Sequence, residues 1–195
     1  MAWAKNGTPS TLTGAADVIT ISDLTAKKFN KFLMHHFVSG ADALRRITFN
    51  NNSNSVYARR YSANGGADAT GTSLTYIELT LADGDQFTIN YNCSISGQEK
   101  LGLSFLVNSV SAGAGTAPQR VELVSKFVPS PDADITRIDS TNPTGGVDYA
   151  IGSNLSALGE GTPVVVNIQN GTVFEETDTN KSFIFNSSTG AWTQF

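Results

Sequence analysis

The chain has 195 residues, of which 39% are hydrophobic and 15% are charged. This length suits one large or two small domains, and the hydrophobic content is enough to build a core, which excludes disorder throughout. The formal net charge of -4 excludes the strong positive field that direct binding of nucleic acid requires. Cys93 is the only cysteine, so no intrachain disulfide can form, and its position in an alternating segment predicts a small buried hydrophobic residue.

The N-terminal segment is small and polar apart from Trp3. An exposed indole is costly, so Trp3 is expected to dock on the body of the protein or on a neighbouring subunit, with an ordinary core position as the alternative. No apolar signal segment opens the chain, and no stretch approaches the ~20 apolar residues of a membrane helix. The sequence therefore predicts synthesis in the cytoplasm without a signal peptide or a transmembrane segment.

One amphipathic helix is predicted, beginning near Ser22 or Asp23 and ending before Gly40. At 100° per residue the apolar side chains of the segment collect on one face; they are Phe29, Phe32, Leu33, His36 and Phe37. The adjacent His35 and His36 point in different directions on such a helix, and no third ligand is at hand. We therefore expect no metal site here.

Alternating segments follow the predicted helix. In the segment from Ser55 to Ser62, Tyr57, Arg59 and Tyr61 share one face. Tyrosine and arginine are common anchors of binding surfaces, so a candidate ligand patch for a sugar or a partner consists of Tyr57, Arg59, Arg60, Tyr61 and Asn64. Cross-strand stacking of the same side chains is the alternative.

The clearest alternation runs from Gln86 to Phe127. Its apolar residues, which include Phe87, Ile89 and Tyr91, are predicted to face the core, and the intervening polar residues are predicted to face water. About six strands joined by short polar loops emerge between Ile47 and Phe127. With the helix in front of them, residues 1–128 are predicted to form an antiparallel β-sandwich of the jelly-roll kind.

The remainder of the chain is predicted to form a connector and a small module. Residues 129–161 are rich in Pro, Gly and Asp. Carboxylates in a loop are ligands that calcium prefers, but their spacing here does not match an EF-hand loop. Residues 162–195 are predicted to form a β-hairpin or meander, with a first strand over residues 164–169 and the strong turn signal Asn170-Gly171. Its aromatic side chains, which are Phe174, Phe183, Phe185 and Trp192, are too much apolar surface for so short a module to bury alone.

The C-terminal residues carry a resemblance. The run Gly171-Thr172-Val173-Phe174-Glu175-Glu176-Thr177-Asp178-Thr179-Asn180-Lys181, followed by Phe183-Ile184-Phe185 and Trp192, resembles a short hairpin found near the ends of many structural proteins of tailed bacteriophages. The resemblance covers about the last 30 residues and brings no catalytic residues with it. It implies a structural or adhesive role in a virion, in the head or in the tail.

The predicted function is that of a bacteriophage virion structural protein, which decorates or cements the capsid as a homo-oligomer, with a trimer as one arrangement. Its partners are expected to be itself and the major capsid or other virion proteins, with no nucleic acid and no membrane. Predicted contact residues are Trp3, Phe174, Phe183, Phe185 and Trp192. The alternative is a tail-associated adhesin that binds host carbohydrate through the ligand patch. No catalytic set, cofactor site or metal site is predicted, because no serine or cysteine lies in a nucleophile motif and Glu175 and Glu176 point to opposite faces of a strand.

Overall fold

The computed structural model describes residues 2–38, 44–79, 84–94, 99–111, 113–144, 148–161, 169–176 and 178–195. The described residues divide into a larger unit, Trp3–Glu160, and a smaller unit made of Gly161–Phe195 with Ala2. The strands of the first half of the chain are β1 (Ala2–Lys5), β2 (Ser10–Thr11), β3 (Val18–Ile21), β4 (Phe29–His36), β5 (Arg45–Phe49), β6 (Tyr57–Ala63), β7 (Ala69–Leu74) and β8 (Ile77–Leu79). The second half contains β9 (Gln86–Ser94), β10 (Lys100–Asn108), β11 (Gln119–Phe127), β12 (Ile138–Thr141), β13 (Asn154–Gly161), β14 (Val173–Glu176), β15 (Lys181–Asn186) and β16 (Ala191–Gln194).

The larger unit is built from a large and a small antiparallel sheet. The large sheet has the order β1-β13-β4-β9-β10-β11-β6-β7, with β2 also paired to β13, and the small sheet has the order β3-β12-β5-β8. The three longest neighbours, β9, β10 and β11, pair over nine positions each. The sequence prediction of a mainly β, antiparallel protein is confirmed.

The core lies between the two sheets. The ring of Phe49 in the small sheet lies 5.9 Å from that of Phe32 and 5.5 Å from that of Phe127, both in the large sheet. Tyr57 stacks on Phe127 at 5.0 Å, and its hydroxyl donates to the Asn52 carbonyl and accepts from the Phe49 amide at 2.9 Å each. These contacts join the sheets in the face-to-face packing of a β-sandwich.

The predicted N-terminal helix is wrong, because the described residues contain no helix and Phe29–His36 form strand β4. The segment fits both periods: Phe29, Phe32 and His36 follow a helical spacing, while burial of Phe32, Met34 and His36 follows the period of two. Antiparallel pairing of β4 with β9 on one side and β13 on the other decides for the strand. Such long-range hydrogen bonds override local preference.

The segment assigned to a connector contributes strands to both sheets. Within residues 129–161, β12 pairs with β3 and β5, and β13 pairs with β2 and β4. The smaller unit is a three-stranded antiparallel meander of order β14-β15-β16. A further strand predicted over residues 164–169 lies almost wholly outside the described residues.

Candidate interaction surface

Strands β9 and β10 turn their apolar side chains away from the core. Several large residues of these strands are nearly half exposed, including Phe105 and Val107 at 46% each and Phe87 at 44%. We call this surface the apolar face and define it by Phe87, Ile89, Tyr91, Cys93, Leu101, Leu103, Phe105 and Val107. The alternation predicted from the sequence is present, but the prediction that its apolar side faces the core is wrong for β9 and β10, whereas Val121, Leu123 and Phe127 of β11 are buried in the core as predicted.

The polar side of β9 and β10 faces inward, where several of its amides and hydroxyls are hydrogen-bonded, although Gln86 Oε1 and Asn108 Nδ2 have no hydrogen-bond partner among the described residues. Asn90 Nδ2 donates to Ser104 Oγ at 2.7 Å, and the Asn92 amide donates to Asn90 Oδ1. Gln86 Nε2 donates to Thr88 Oγ1 at 2.8 Å. Burial of amides and hydroxyls is tolerated when they are paired in this way, because pairing offsets the loss of hydration.

Gly102 permits the close packing of this inward side. A Cβ atom at position 102 would lie 2.5 Å from Ser125 Oγ and 3.0 Å from Asn92 Oδ1. The large sheet therefore has a close-packed polar centre beneath its apolar face.

The apolar face was not predicted from the sequence, although the composition of β9 contains a signal for it. Its polar positions are Gln, Thr, Asn and Ser and include no Lys, Arg, Asp or Glu. A strand face exposed to water usually carries charged residues, whereas uncharged amides and hydroxyls suit a buried hydrogen-bonded row.

Charged residues flank the apolar face on its neighbouring strands. In register, one row across the sheet reads Lys31, Tyr91, Leu103, Val124, and the next reads Leu33, Ile89, Phe105, Glu122. At the ends of β11, Arg120 lies opposite Val107 and Lys126 lies opposite Leu101. An apolar centre with a charged rim is the composition of a protein–protein interface.

Trp3 lies beside the apolar face. Its ring is 6.2 Å from that of Tyr91, and 41% of the residue is exposed. Trp3, Tyr91 and Leu103 line a cavity of about 260 Å³. Trp3, selected from the sequence as a contact residue, therefore extends the apolar face at one edge.

The outward side of the small sheet has the opposite character. Arg137 Nη2 pairs with Asp139 Oδ1 at 2.7 Å, and Thr20 Oγ1 donates to the same carboxylate at 2.7 Å. Arg46 lies 3.8 Å from the centre of the Tyr76 ring and 3.5 Å from Glu78. Exposed apolar strand residues are thus concentrated on the outside of the large sheet.

The predicted ligand patch does not come together. Tyr57 is 1% exposed, and Arg59 donates to the Glu78 carbonyl and lies 4.9 Å from the Tyr61 ring. Arg60, on the other side of β6, is exposed and pairs with Asp68 at 3.3 Å. Asn64 lies in the turn after β6, where its Oδ1 accepts from the Arg120 amide at 2.9 Å.

The predicted aromatic contact residues of the smaller unit share one face of the meander. Phe174 lies opposite Phe183 in the register, and Phe185 lies opposite Trp192. Phe185 is buried at 5% exposure, with its ring 5.2 Å from Trp192, whereas Phe174 is 52% exposed. Together with Glu176, the rings of Phe174, Phe183 and Trp192 line a cavity of about 340 Å³.

The two histidines do not form a reactive site. His36 is fully buried, with Nε2 2.8 Å from Ser140 Oγ and its ring 4.6 Å from that of Tyr149. Burial lowers the pKa of His36 to about 3, with the positive charge of Arg45 contributing. This Ser–His contact has no path to an external substrate. Among the described residues, no group of three or more His, Cys, Asp or Glu side chains is placed to hold a metal ion.

The part of the chain that the structure describes contains no helix long and apolar enough to cross a membrane. A scan against protein-family models, a search of curated proteins and a search of solved structures each gave no match to this chain.

Proposed function

We propose that the protein is a non-enzymatic structural subunit of a bacteriophage virion, which decorates or cements the capsid as a homo-oligomer. The observation that carries the proposal is the apolar face, because large exposed apolar patches mark surfaces that another protein covers. The proposal assigns the chain no cofactor and no catalytic role.

The size of the apolar face agrees with an assembly role. The apolar face itself, on β9 and β10, has a footprint of about 300 Å² at the usual strand spacing and rise, and the flanking strands β4 and β11 widen the outward surface to about 600 Å². A stable interface covers roughly 800 Å² on each partner, so these four strands with Trp3 at their edge supply most of one interface. In a shell, symmetry repeats each such contact many times, and the repeated contacts act together.

The smaller unit supports the virion assignment. Residues 171–192 carry the resemblance to the C-terminal hairpins of tailed-phage structural proteins. The exposed Phe174, at 52%, and Trp192, at 38%, leave this unit with apolar surface for a second contact. Two contact surfaces on one chain are what a protein that bridges neighbours in a shell requires.

The proposal includes the jelly-roll form of the β-sandwich, and the strand order supports it. Numbered from β3, the small sheet follows the order first, eighth, third and sixth strand of a jelly roll. From β4 to β7, the large sheet follows the jelly-roll order of second, seventh, fourth and fifth strand. In this comparison β9, β10 and β11 together take the place of the seventh strand. The apolar face then lies on the part of the sheet that these three strands widen.

The copy number of the protein in purified virions, measured by quantitative mass spectrometry against the major capsid protein, tests the proposal. We expect hundreds of copies per particle, because decoration follows the symmetry of the shell. A handful of copies would contradict decoration and favour the tail adhesin. Absence from the particle would contradict a virion role altogether.

A further inference from the structure

We propose that the apolar face packs against the same face of a second copy of the chain, about a two-fold axis that runs parallel to β9 and β10. This inference rests on the proposed function, because it names the partner that the apolar face binds. Its chemistry is that of a sheet-on-sheet contact, in which two apolar layers meet about 10 Å apart.

The composition of the face favours a second copy. All eight outward residues of β9 and β10 are apolar, so a partner must present an apolar surface of similar size to cover them. A second copy presents an identical one, and a two-fold axis brings the two into register as an isologous contact. The apolar face together with the flanking strands β4 and β11 has a footprint of about 600 Å² on each copy, which, extended by Trp3, comes near the roughly 800 Å² per partner of a stable dimer.

The charges on the flanking strands select the orientation. If the axis runs parallel to the strands between β9 and β10, β4 of one copy lies over β11 of the other. Lys31 of one copy then lies over the row of Val124, with Glu122 only one row away. Two residues along a strand span about 7 Å, which a lysine side chain can reach. The two-fold symmetry makes this pair twice.

The alternative axis, perpendicular to the strands, is less favourable because it opposes like charges directly, although Glu122 of one copy would also lie one row from Lys126 of the other. It would place β11 over β11 and invert the order of rows, so that Arg120 of one copy meets Lys126 of the other. Like charges placed opposite each other across an interface are repulsive. The side chains of Arg120 and Lys126 are 66% and 45% exposed in the single chain, so both charges are available to meet across this contact.

Sedimentation equilibrium of the full-length chain tests the contact itself. We expect a dimer that dissociates on dilution, and we expect Phe105→Lys to be a monomer at the same concentrations. Ile151→Lys is the matched control, because Ile151 is 66% exposed but lies in a turn outside the apolar face; it should remain dimeric. Circular dichroism of each variant verifies that the strands are intact.

Charge reversal tests the orientation. Lys31→Glu and Glu122→Lys are each expected to weaken dimerisation by about tenfold. The double variant should recover wild-type affinity, and a mixture of the two single variants should form heterodimers. Single reversals without effect, or a double variant weaker than either single, would overturn this orientation.

A monomeric wild-type chain, or a dimer that survives Phe105→Lys, would overturn the proposal. These results are distinguishable from failure of the proposed function, because the copy number in virions is measured separately. A monomer present in hundreds of copies per particle would contradict the second copy alone.

Discussion

His36 shows how one buried side chain links the fold to pH. It lies on the inner side of β4, where burial and the charges of Arg45 and His35 lower its pKa to about 3. In the unfolded chain its pKa is about 6.5. The neutral imidazole is therefore the form that the folded protein holds against Ser140.

This pKa difference makes stability depend on pH in a defined direction. Above about pH 6.5 both states are neutral at this site and no dependence arises. As the pH falls toward 3, the unfolded state gains a proton that the folded state excludes, so the free energy of unfolding falls by up to about 1.4 kcal/mol per pH unit. Denaturant titrations of wild type and His36→Gln should differ in this slope.

A buried neighbour that does not titrate is the control for that experiment. Met34→Ala should lower stability at every pH but retain the wild-type slope, because Met34 is an uncharged, fully buried residue on the same inner side of β4. Comparing slopes rather than absolute stabilities separates the proton effect from the cost of altering a buried residue. Equal slopes for wild type and His36→Gln would contradict the burial of His36.

At the level of elements, alternation determined which residues share a face but not which face is buried. In β9 and β10 the period of two is present, yet a strand with apolar residues on one side and amides on the other can be packed either way round. The amide side lies inward, where Asn90 is hydrogen-bonded to Ser104 and to Asn92. The uncharged polar row of β9 hinted at this arrangement, but the positions of the neighbouring strands decide it, and some of them come from pairings far apart in sequence.

Strand β4 and the segment 129–161 illustrate the same limit. The helical spacing of Phe29, Phe32 and His36 is a local signal, whereas the ladders that β4 forms with β9 and β13 are not. Likewise, β12 pairs with strands more than 80 residues earlier in the chain, such as Asp139 with Thr48. In contrast, the β14–β16 meander joins strands close in sequence, and its aromatic composition was informative without long-range contacts.

The smaller unit is expected to depend on one anchor. Phe185 is its most buried aromatic residue, and replacing a buried Phe by Ala costs about 3–5 kcal/mol. A three-stranded meander is only marginally stable, so Phe185→Ala should unfold β14–β16. Hydrogen-exchange mass spectrometry should show lost protection in peptides from residues 169–195, with peptides from β9–β11 unchanged.

Val173→Ala provides the comparison, because Val173 is 55% exposed and its truncation removes little buried surface. Its exchange should match the wild type. Equal protection in Phe185→Ala and wild type would mean that the ring of Phe185 does not hold the meander together.

At the scale of the molecule, the two outward sheet faces differ in what they can contact. The outward side of the small sheet carries partly exposed ion pairs such as Arg46–Glu78, which suit contact with water. The large sheet carries the apolar face, which suits contact with protein. The sequence predicted a sandwich and a separate C-terminal meander, whereas the direction of the apolar face required the pairing of the whole sheet. The proposed function depends on the apolar face pointing away from the core.

The rate at which the Cys93 thiol is alkylated measures which way the apolar face points. Cys93 is the single cysteine of the chain and lies on the apolar face, opposite Phe29 and Leu101. Folded Phe105→Lys, expected to be monomeric, should be alkylated at Cys93 at a rate independent of protein concentration. In the wild type, alkylation should slow as concentration rises and the face becomes covered. If Cys93 in folded Phe105→Lys reacts only after denaturant is added, the apolar side of β9 faces the core. That result would contradict the outward direction of the apolar face and the function proposed from it.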